Sequence, residues 1–282
     1  MTNRIRKTII SVLILFTSIT VTYCQGLKNY ADSIRVVYKI PELGYAVVSS
    51  DSVYELEVIG YKKIGSGRVA EKRDLFRIGS NAKAITGFIA AILVKQGKIS
   101  WNTRFFDVFP ELKEHSRKEY YQLTLLNLLS FRTKLFPYTY TYKIPLKGQF
   151  TGNEDEQRYQ FTEWFLKQKP VSSKDSINFS NLGYIAAGLM LEKASGKTYK
   201  QLVNESGVTL HINFKFGQPN NINSLEPWGH DAHLLPEPPG DDYKLNWLLA
   251  AGNICVSLPD YAKFIQLQLQ GLSGKSELLT KE

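Results

Sequence analysis

The sequence is poor in cysteine. Cys24 and Cys255 are the only two in 282 residues, which excludes the disulfide framework of a small stapled domain. Histidine is scarce too. Of the four present, His230 and His233 fall together in "WGHDAH". Two imidazoles with Asp231 between them do not make an anchored tetrahedral set, because no further ligand stands beside them. No metal or cofactor is therefore expected, and the stretch reads as a loop. His115 lies in a charged stretch, and His211 falls on the polar face of an expected strand. Blocks of like charge are absent as well. The 35 basic and 26 acidic residues are interspersed, so the net charge of +9 gives no nucleic-acid footprint. Repeats and low-complexity tracts are lacking, and a hydrophobic content of 43% with 22% charged residues is that of a globular chain. Its length allows one large domain or two lobes around a sizeable core.

No uncharged apolar run reaches the length of a comfortable membrane span. Thr8–Tyr23 has 16 residues and follows "MTNRIRK" with its three positive charges. A charged segment followed by a short apolar one reads as a secretory signal peptide over 1–24, cut near Cys24 and Gln25. The alternatives are a buried N-terminal helix, an uncut membrane anchor, or lipid attachment at Cys24, which the bulky Tyr23 disfavours. Loss of Arg4, Arg6 and Lys7 lowers the net charge to +6 and leaves Cys255 alone. An exported protein without disulfides fits the periplasm or exterior of a bacterium.

What is present is a mixed pattern. A helical segment near Tyr30–Tyr38 precedes two strand-like runs, Gly44–Val48 and Tyr54–Lys62, joined by "SSDS" as a hairpin. Ala82–Lys95 carries apolar residues at helical spacing and is ended by Gly97. Leu123–Leu129, Glu156–Lys169 and Asn181–Ala194 also read as helices. Lys134–Gln149 reads as a surface loop in which Tyr138, Tyr140 and Tyr142 have the alternative of lining a cleft. Val208–Phe216 alternates with period two and reads as a strand. Leu235–Asp242 is a loop, and Ser257–Asp260 opens a last helix, Tyr261–Gln270, as a capping box.

The stretch that carries chemistry is "FRIGSNAKAITG", Phe76–Gly87. Ser80 and Lys83 are three residues apart at a helix start, on one face and within reach of each other. A serine hydroxyl needs a neighbouring base to become a nucleophile, and a lysine serves as one when burial lowers its pKa. Backbone N–H groups at the helix start favour developing negative charge. The four letters alone leave an alternative, in which Ser80 caps the helix and Lys83 is solvated.

The wider context resembles the serine β-lactamase and penicillin-binding-protein superfamily, in its class C-like branch. "DLFRIGSNAKAITGFIAAILVKQGKISWNTRFFDVFPEL" is similar to the first-motif region through Phe76, Ser80, Lys83, Thr86, Gly87, Gly97, Lys98, Ile99 and Phe109–Leu112. "INFSNLGYIAAGLMLEKASGKTY" and "AAGNICVSLPDYAKFIQLQLQG" resemble two later regions in the right order. The resemblance runs from about Gly44 to the end. It implies an α/β fold with an antiparallel sheet flanked by helices, a helical lobe over about 99–244, and a hydrolase domain over 25–282. It also implies that Ser80 is the acylated nucleophile, that Lys83 activates it, and that Asn181 bonds substrate and lysine, with Phe179 and Ser180 beside the substrate. The substrate class is a small molecule or a peptidoglycan-type peptide, attacked at an ester, amide or lactam carbonyl.

Three departures stand against that pattern. Phe179 occupies the place of a proton-transferring tyrosine. In "LTLLNLLSFRTKL", Phe131 replaces a histidine and Lys134 a glycine. The K-T-G or H-x-G triplet expected on a strand beyond the last helix does not occur before Glu282, so the sheet is expected to lack its C-terminal strands. The alternative reading is a degenerate, non-catalytic member that binds peptidoglycan-type peptides or a protein partner. Tyr184, close to Phe179, matches a tyrosine of the pattern and is expected to pack.

Overall fold

In a computed structural model of the chain, the structure describes residues 26–279 other than 140, 144, 172–176 and 241–242. The expected signal peptide and Tyr140 lie outside the described residues. Among those described, no helix is long and apolar enough to cross a membrane.

Helix α1 (26–37) covers the helical segment expected near Tyr30. Strands β1 (Glu42–Val48) and β2 (Val53–Gly60) form an antiparallel hairpin, with Glu42 opposite Gly60 and Ala46 opposite Leu56. Its turn is closed by Ser49, whose hydroxyl accepts from the N–H groups of Asp51 and Ser52. Strand β3 (Leu75–Arg77) leads through a single 3₁₀ turn, Gly79–Asn81, into α2 (Ala82–Lys95). The helical part follows: α3 (Phe105–Val108), α4 (Leu125–Leu129), α5 (Glu154–Leu166), α6 (Asn181–Ser195) and α7 (Tyr199–Leu210). The chain then gives β4 (Lys215–Phe216), α8 (Pro219–Ile222), α9 (Tyr243–Trp247), α10 (Leu249–Gly252), β5 (Ile254–Ser257) and α11 (Leu258–Leu272). Strand β5 is central, with β3 and β4 antiparallel on its two sides. The expected α/β class is what the chain forms, with its described strands in two small antiparallel sheets, the β1–β2 hairpin and β3–β5–β4, rather than one.

Helix α6 is the hub. Its residues from Asn181 to Leu191 are all buried, as befits a helix that is apolar around its whole circumference. Small residues let neighbours come close. A Cβ on Gly183 would stand 2.6 Å from the Leu128 carbonyl oxygen of α4, and one on Gly188 would stand 2.8 Å from the Ala250 Cβ of α10. Buried Arg158 of α5 donates to Glu192 of α6 at 2.6 Å, and the same carboxylate oxygen accepts from the Tyr199 N–H of α7 at 2.7 Å. One acid thus joins three helices.

Val208–Phe216 is not a strand. Thr198 and Gln201 form a capping box that starts α7, and the helix runs on to Leu210. His211 ends it in a left-handed conformation, φ 54°, and the Ile212 N–H turns back to the Gly207 carbonyl at 2.8 Å. The period-two pattern did not correspond to burial, since Val208 is 78% exposed. Only Lys215–Phe216 pairs, against β5. The 134–149 segment is irregular as expected, but Leu135 and Tyr138 are fully buried, so it is not simply a surface loop. The "WGHDAH" loop is held by its own polar groups: His230 accepts the Ile64 N–H, and Asp231 accepts those of His233 and Leu235.

Strands β1 and β3 are joined by a buried carboxyl pair. Asp74, 1% exposed, binds Lys62 at 2.5 Å and accepts the Glu71 N–H. Burial raises the Glu42 carboxyl to about 8. The negative charge of Asp74, its acceptance of the Glu42 proton and Glu226 push the same way, and Lys62 opposes them. Burial beside Asp74 thus favours the protonated form of the Glu42 carboxyl. The folded state keeps a proton that the unfolded chain releases near pH 4.5, so stability falls as pH rises through about 8. Thermal unfolding followed from about pH 5 to pH 9 should show this loss in the wild type and a flatter profile in Glu42→Gln. Equal slopes would remove Glu42 as its source.

Candidate active site

Pairing of β3 with β5 sets the site. Phe76 lies opposite Val256 and Arg77 opposite Cys255, and the Ile78 N–H extends the ladder to the Ile254 carbonyl at 3.0 Å. The chain then turns at Gly79, with φ 52°, a conformation glycine adopts without strain. Ser80 emerges on the exposed first turn beside α10, whose Gly252 faces the Gly79–Ser80 peptide.

Ser80 is not a helix cap. Neither the 3₁₀ turn nor α2 has a side-chain cap, and the Ser80 hydroxyl is bonded by Lys83 Nζ at 3.0 Å. Lys83 is 7% exposed, and Nζ also donates to the Ala251 carbonyl at 2.7 Å. Two ring faces border the ammonium, with the centroids of Phe179 at 5.5 Å and Tyr184 at 5.4 Å. Burial pulls the Lys83 pKa down from 10.5 to about 8, because no carboxylate among the described residues pairs with the desolvated ammonium to offset the loss of water. Near neutral pH the amine is thus within reach of its uncharged form. Neutral Lys83 keeps an N–H for Ala251 and turns its lone pair to the Ser80 hydroxyl.

One turn further on, Thr86 is fully buried, with its hydroxyl 2.6 Å from the Ala250 carbonyl and 2.7 Å from the Tyr199 hydroxyl. Lys83 and Thr86 therefore bind successive carbonyls of α10 and fix α2 against it. Sequence reasoning named neither Ala251 nor this use of Thr86. The signal was the spacing of Lys83 and Thr86 along one face of α2, and the partner carbonyls carry no residue-type signature.

The 178–181 stretch that leads into α6 is laced to the 131–138 strip by four hydrogen bonds. The Asn178 N–H donates to the Phe131 carbonyl at 2.8 Å and its side chain to that of Thr133 at 3.1 Å. Ser180 Oγ donates to the Phe136 carbonyl at 2.7 Å, and Asn181 Nδ2 donates to that of Tyr138 at 2.6 Å. Ser180 also accepts from the Leu182 N–H as the N-cap of α6, so its buried hydroxyl is committed to structure. The carbonyl of Tyr138 can only accept, which fixes the Asn181 amide with Nδ2 toward it. Oδ1 is left buried without a partner, and Asn181 makes no hydrogen bond to Lys83. Phe179 is 53% exposed and packs tilted against Phe131, ring centroids 5.0 Å apart at an interplanar angle of 34°. Tyr184 also packs against Phe131, at 5.4 Å, and spends its hydroxyl on the Leu129 carbonyl. Phe131 itself has a positive φ of 58°, strained for an aromatic residue.

A primary amine in hydrogen-bond contact with an exposed hydroxyl, on a helix start, is a geometry suited to nucleophilic attack on a carbonyl. Comparison with known proteins bears on the fold and the family. The family profile described as Beta-lactamase matches residues 27–281. The chain belongs to the beta-lactamase family. Members of this fold family are generally serine hydrolases. The chain is 22% identical over 233 residues to Protein flp of Staphylococcus aureus strain N315, covering 82% of this chain and 46% of that protein. It thus spans about half the length of the curated relatives it matches. Among solved structures it is similar to the octameric penicillin-binding protein homologue from Pyrococcus abyssi, with a TM-score of 0.69 and 18% identity over 91% of this chain and 58% of that one. It is also similar to a class C beta lactamase from Rhodobacter sphaeroides, with a TM-score of 0.69 and 17% identity over 89% and 66%. These likenesses are in fold.

Removing the Thr86 hydroxyl leaves buried partners unsatisfied, so Thr86→Val should lower the free energy of unfolding by about 1–3 kcal/mol, and Thr86→Ser by less. Denaturant titration reads both. For Lys83, the unfolded chain binds a proton between pH 8 and 10.5 that the folded protein does not. Wild-type stability relative to Lys83→Met should therefore rise over that window, by at most roughly 1.4 kcal/mol per pH unit. A difference independent of pH would show that the buried amine titrates normally.

Proposed function

We propose that the chain is an exported serine hydrolase that forms an acyl-enzyme on Ser80 with an ester, amide or β-lactam carbonyl. The observation that carries the reading is the 3.0 Å contact between Lys83 Nζ and Ser80 Oγ, made by a buried lysine with a lowered pKa. Lys83 takes the hydroxyl proton as Oγ attacks, and returns it to the leaving group. A water molecule, deprotonated by the same amine, then releases the acid. The backbone N–H of Ser80 is the proposed donor to the developing oxyanion. Export and a periplasmic or extracellular location rest on the 1–24 segment. A small molecule or a peptidoglycan-type peptide is the proposed partner.

The second reading, a non-catalytic binder of such peptides or of a protein, is favoured by one observation: Phe179 puts a ring without a proton where the family pattern has a tyrosine. Intact-mass measurement after exposure to a penicillin and to a fluorophosphonate separates the two. An adduct that is lost in Ser80→Ala supports the hydrolase, and no adduct on the folded protein supports the binder. Where turnover is seen, kcat/KM should rise with pH and level off above about 8, because the uncharged form of Lys83 is the base. A rate flat from about pH 6 to pH 9 would count against Lys83 as that base.

A further inference from the structure

The polar contacts of Lys83 suit an amine better than an ammonium ion. Among the described residues Nζ has two, the Ala251 carbonyl at 2.7 Å and the Ser80 hydroxyl at 3.0 Å. An ammonium has three protons to place, whereas a neutral amine has two protons and a lone pair. The other neighbours of Nζ are aromatic, with the Tyr184 centroid at 5.4 Å and that of Phe179 at 5.5 Å. These two rings differ in standing. Tyr184 is 8% exposed and its hydroxyl is held by the Leu129 carbonyl, so it belongs to the core. Phe179 is 53% exposed and stands between the amine and solvent. It is fixed there from both neighbours along the chain. The Asn178 N–H is bonded to the Phe131 carbonyl, and Ser180 Oγ to that of Phe136.

Resting on the serine-hydrolase reading above, we propose that Phe179 is a positioning residue that keeps water off the Lys83 amine, so that this amine serves as the base for Ser80. The ring has two opposed effects. Its face attracts a cation and favours the ammonium, while its bulk excludes water and disfavours it. The attraction is weak here, because both centroids lie close to the roughly 6 Å limit of such contacts. Exclusion of water wins, since burial is what moves Lys83 down from 10.5 to about 8. The ionisable groups on the helices around it do not set that balance. Tyr184 of α6 spends its hydroxyl on Leu129, and Tyr199 of α7 is bonded to Thr86. Burial holds both phenols above their ordinary value, so they stay uncharged. From α10 the lysine meets the Ala251 carbonyl.

The test uses the full chain carrying isotopically labelled lysine, so that NMR reads the titration of Lys83, its signal being the one lost in Lys83→Met. Fluorophosphonate labelling of Ser80 is followed over the same pH range. Phe179→Ala should raise the pH at which Lys83 loses its proton by about one pH unit and carry the rise of Ser80 labelling with it. Labelling near neutral pH then falls about tenfold, while the alkaline plateau is kept. Phe179→Leu covers the amine without an aromatic face and should restore the wild-type midpoint in both measurements. A ring that only packs would move neither midpoint. If Phe179→Ala leaves the Lys83 midpoint in place or lowers it, or if Phe179→Leu behaves as Phe179→Ala does, the shield falls while a labelled Ser80 still supports the hydrolase. If the Lys83 midpoint moves and labelling does not follow, Lys83 is not the base, and the role of Phe179 goes with it. If Ser80 is unlabelled in every folded form, the hydrolase reading and the role of Phe179 fall together.

Discussion

A buried ammonium, paired with no carboxylate among the described residues, is the constraint around which the site is organised. Lys83 loses most of its water and receives in return one carbonyl, one hydroxyl and two ring faces. That exchange disfavours the charged form, and it is tolerable only if the carbonyl of Ala251 is held rigidly. Several features of the fold serve that end. The β3–β5 pairing brings the Gly79–Ser80 turn beside α10, and Thr86 binds the neighbouring Ala250 carbonyl from the same face of α2. Gly188 lets α6 press against Ala250 from behind. Any change that loosens α10 would let water reach Nζ and restore an ordinary lysine.

Helix α6 carries the other half of the arrangement. Its N-terminus is anchored through backbone carbonyls of the 131–138 strip, and so a segment without regular structure becomes a defined wall. Burial of Leu135 and Tyr138 contributes apolar area, and the lacing satisfies carbonyls that would otherwise be buried without partners. Ser180, Asn181 and Asn178 are thus committed to holding the wall. The orphan Oδ1 of Asn181 is the one buried acceptor of this group without a partner.

Much of the frame was legible because its signals are local. The hairpin turn, the glycine after α2, and the apolar circumference of α6 each name their own structure. Ser80 and Lys83 were legible through their spacing together with the family resemblance around them, since the four letters alone left a helix-cap reading open. What was not legible depends on partners distant in sequence. Strand β5, only four residues long, is defined by β3 and β4, and its "ICVS" does not distinguish strand from helix. The 208–216 error came from trusting alternation over the Thr198–Gln201 capping box, which had already committed the chain to a helix. Glu42 and Asp74 meet across 32 residues, and the position of neither predicts the other.

Phe131 and Phe179 show how such distance alters interpretation. Read along the sequence they are two separate departures, a lost histidine and a lost tyrosine, and each counts against catalysis. In space their rings are 5.0 Å apart, and Phe131 joins Phe179 and Tyr184, the two rings that border the lysine. Decay has no reason to place apolar rings in contact and to hold one of them at a strained φ of 58°. Where the family pattern has a polar pair, this chain packs two apolar rings against each other. The buried lysine is unaffected by that exchange, because its lowered pKa comes from burial, which the rings maintain.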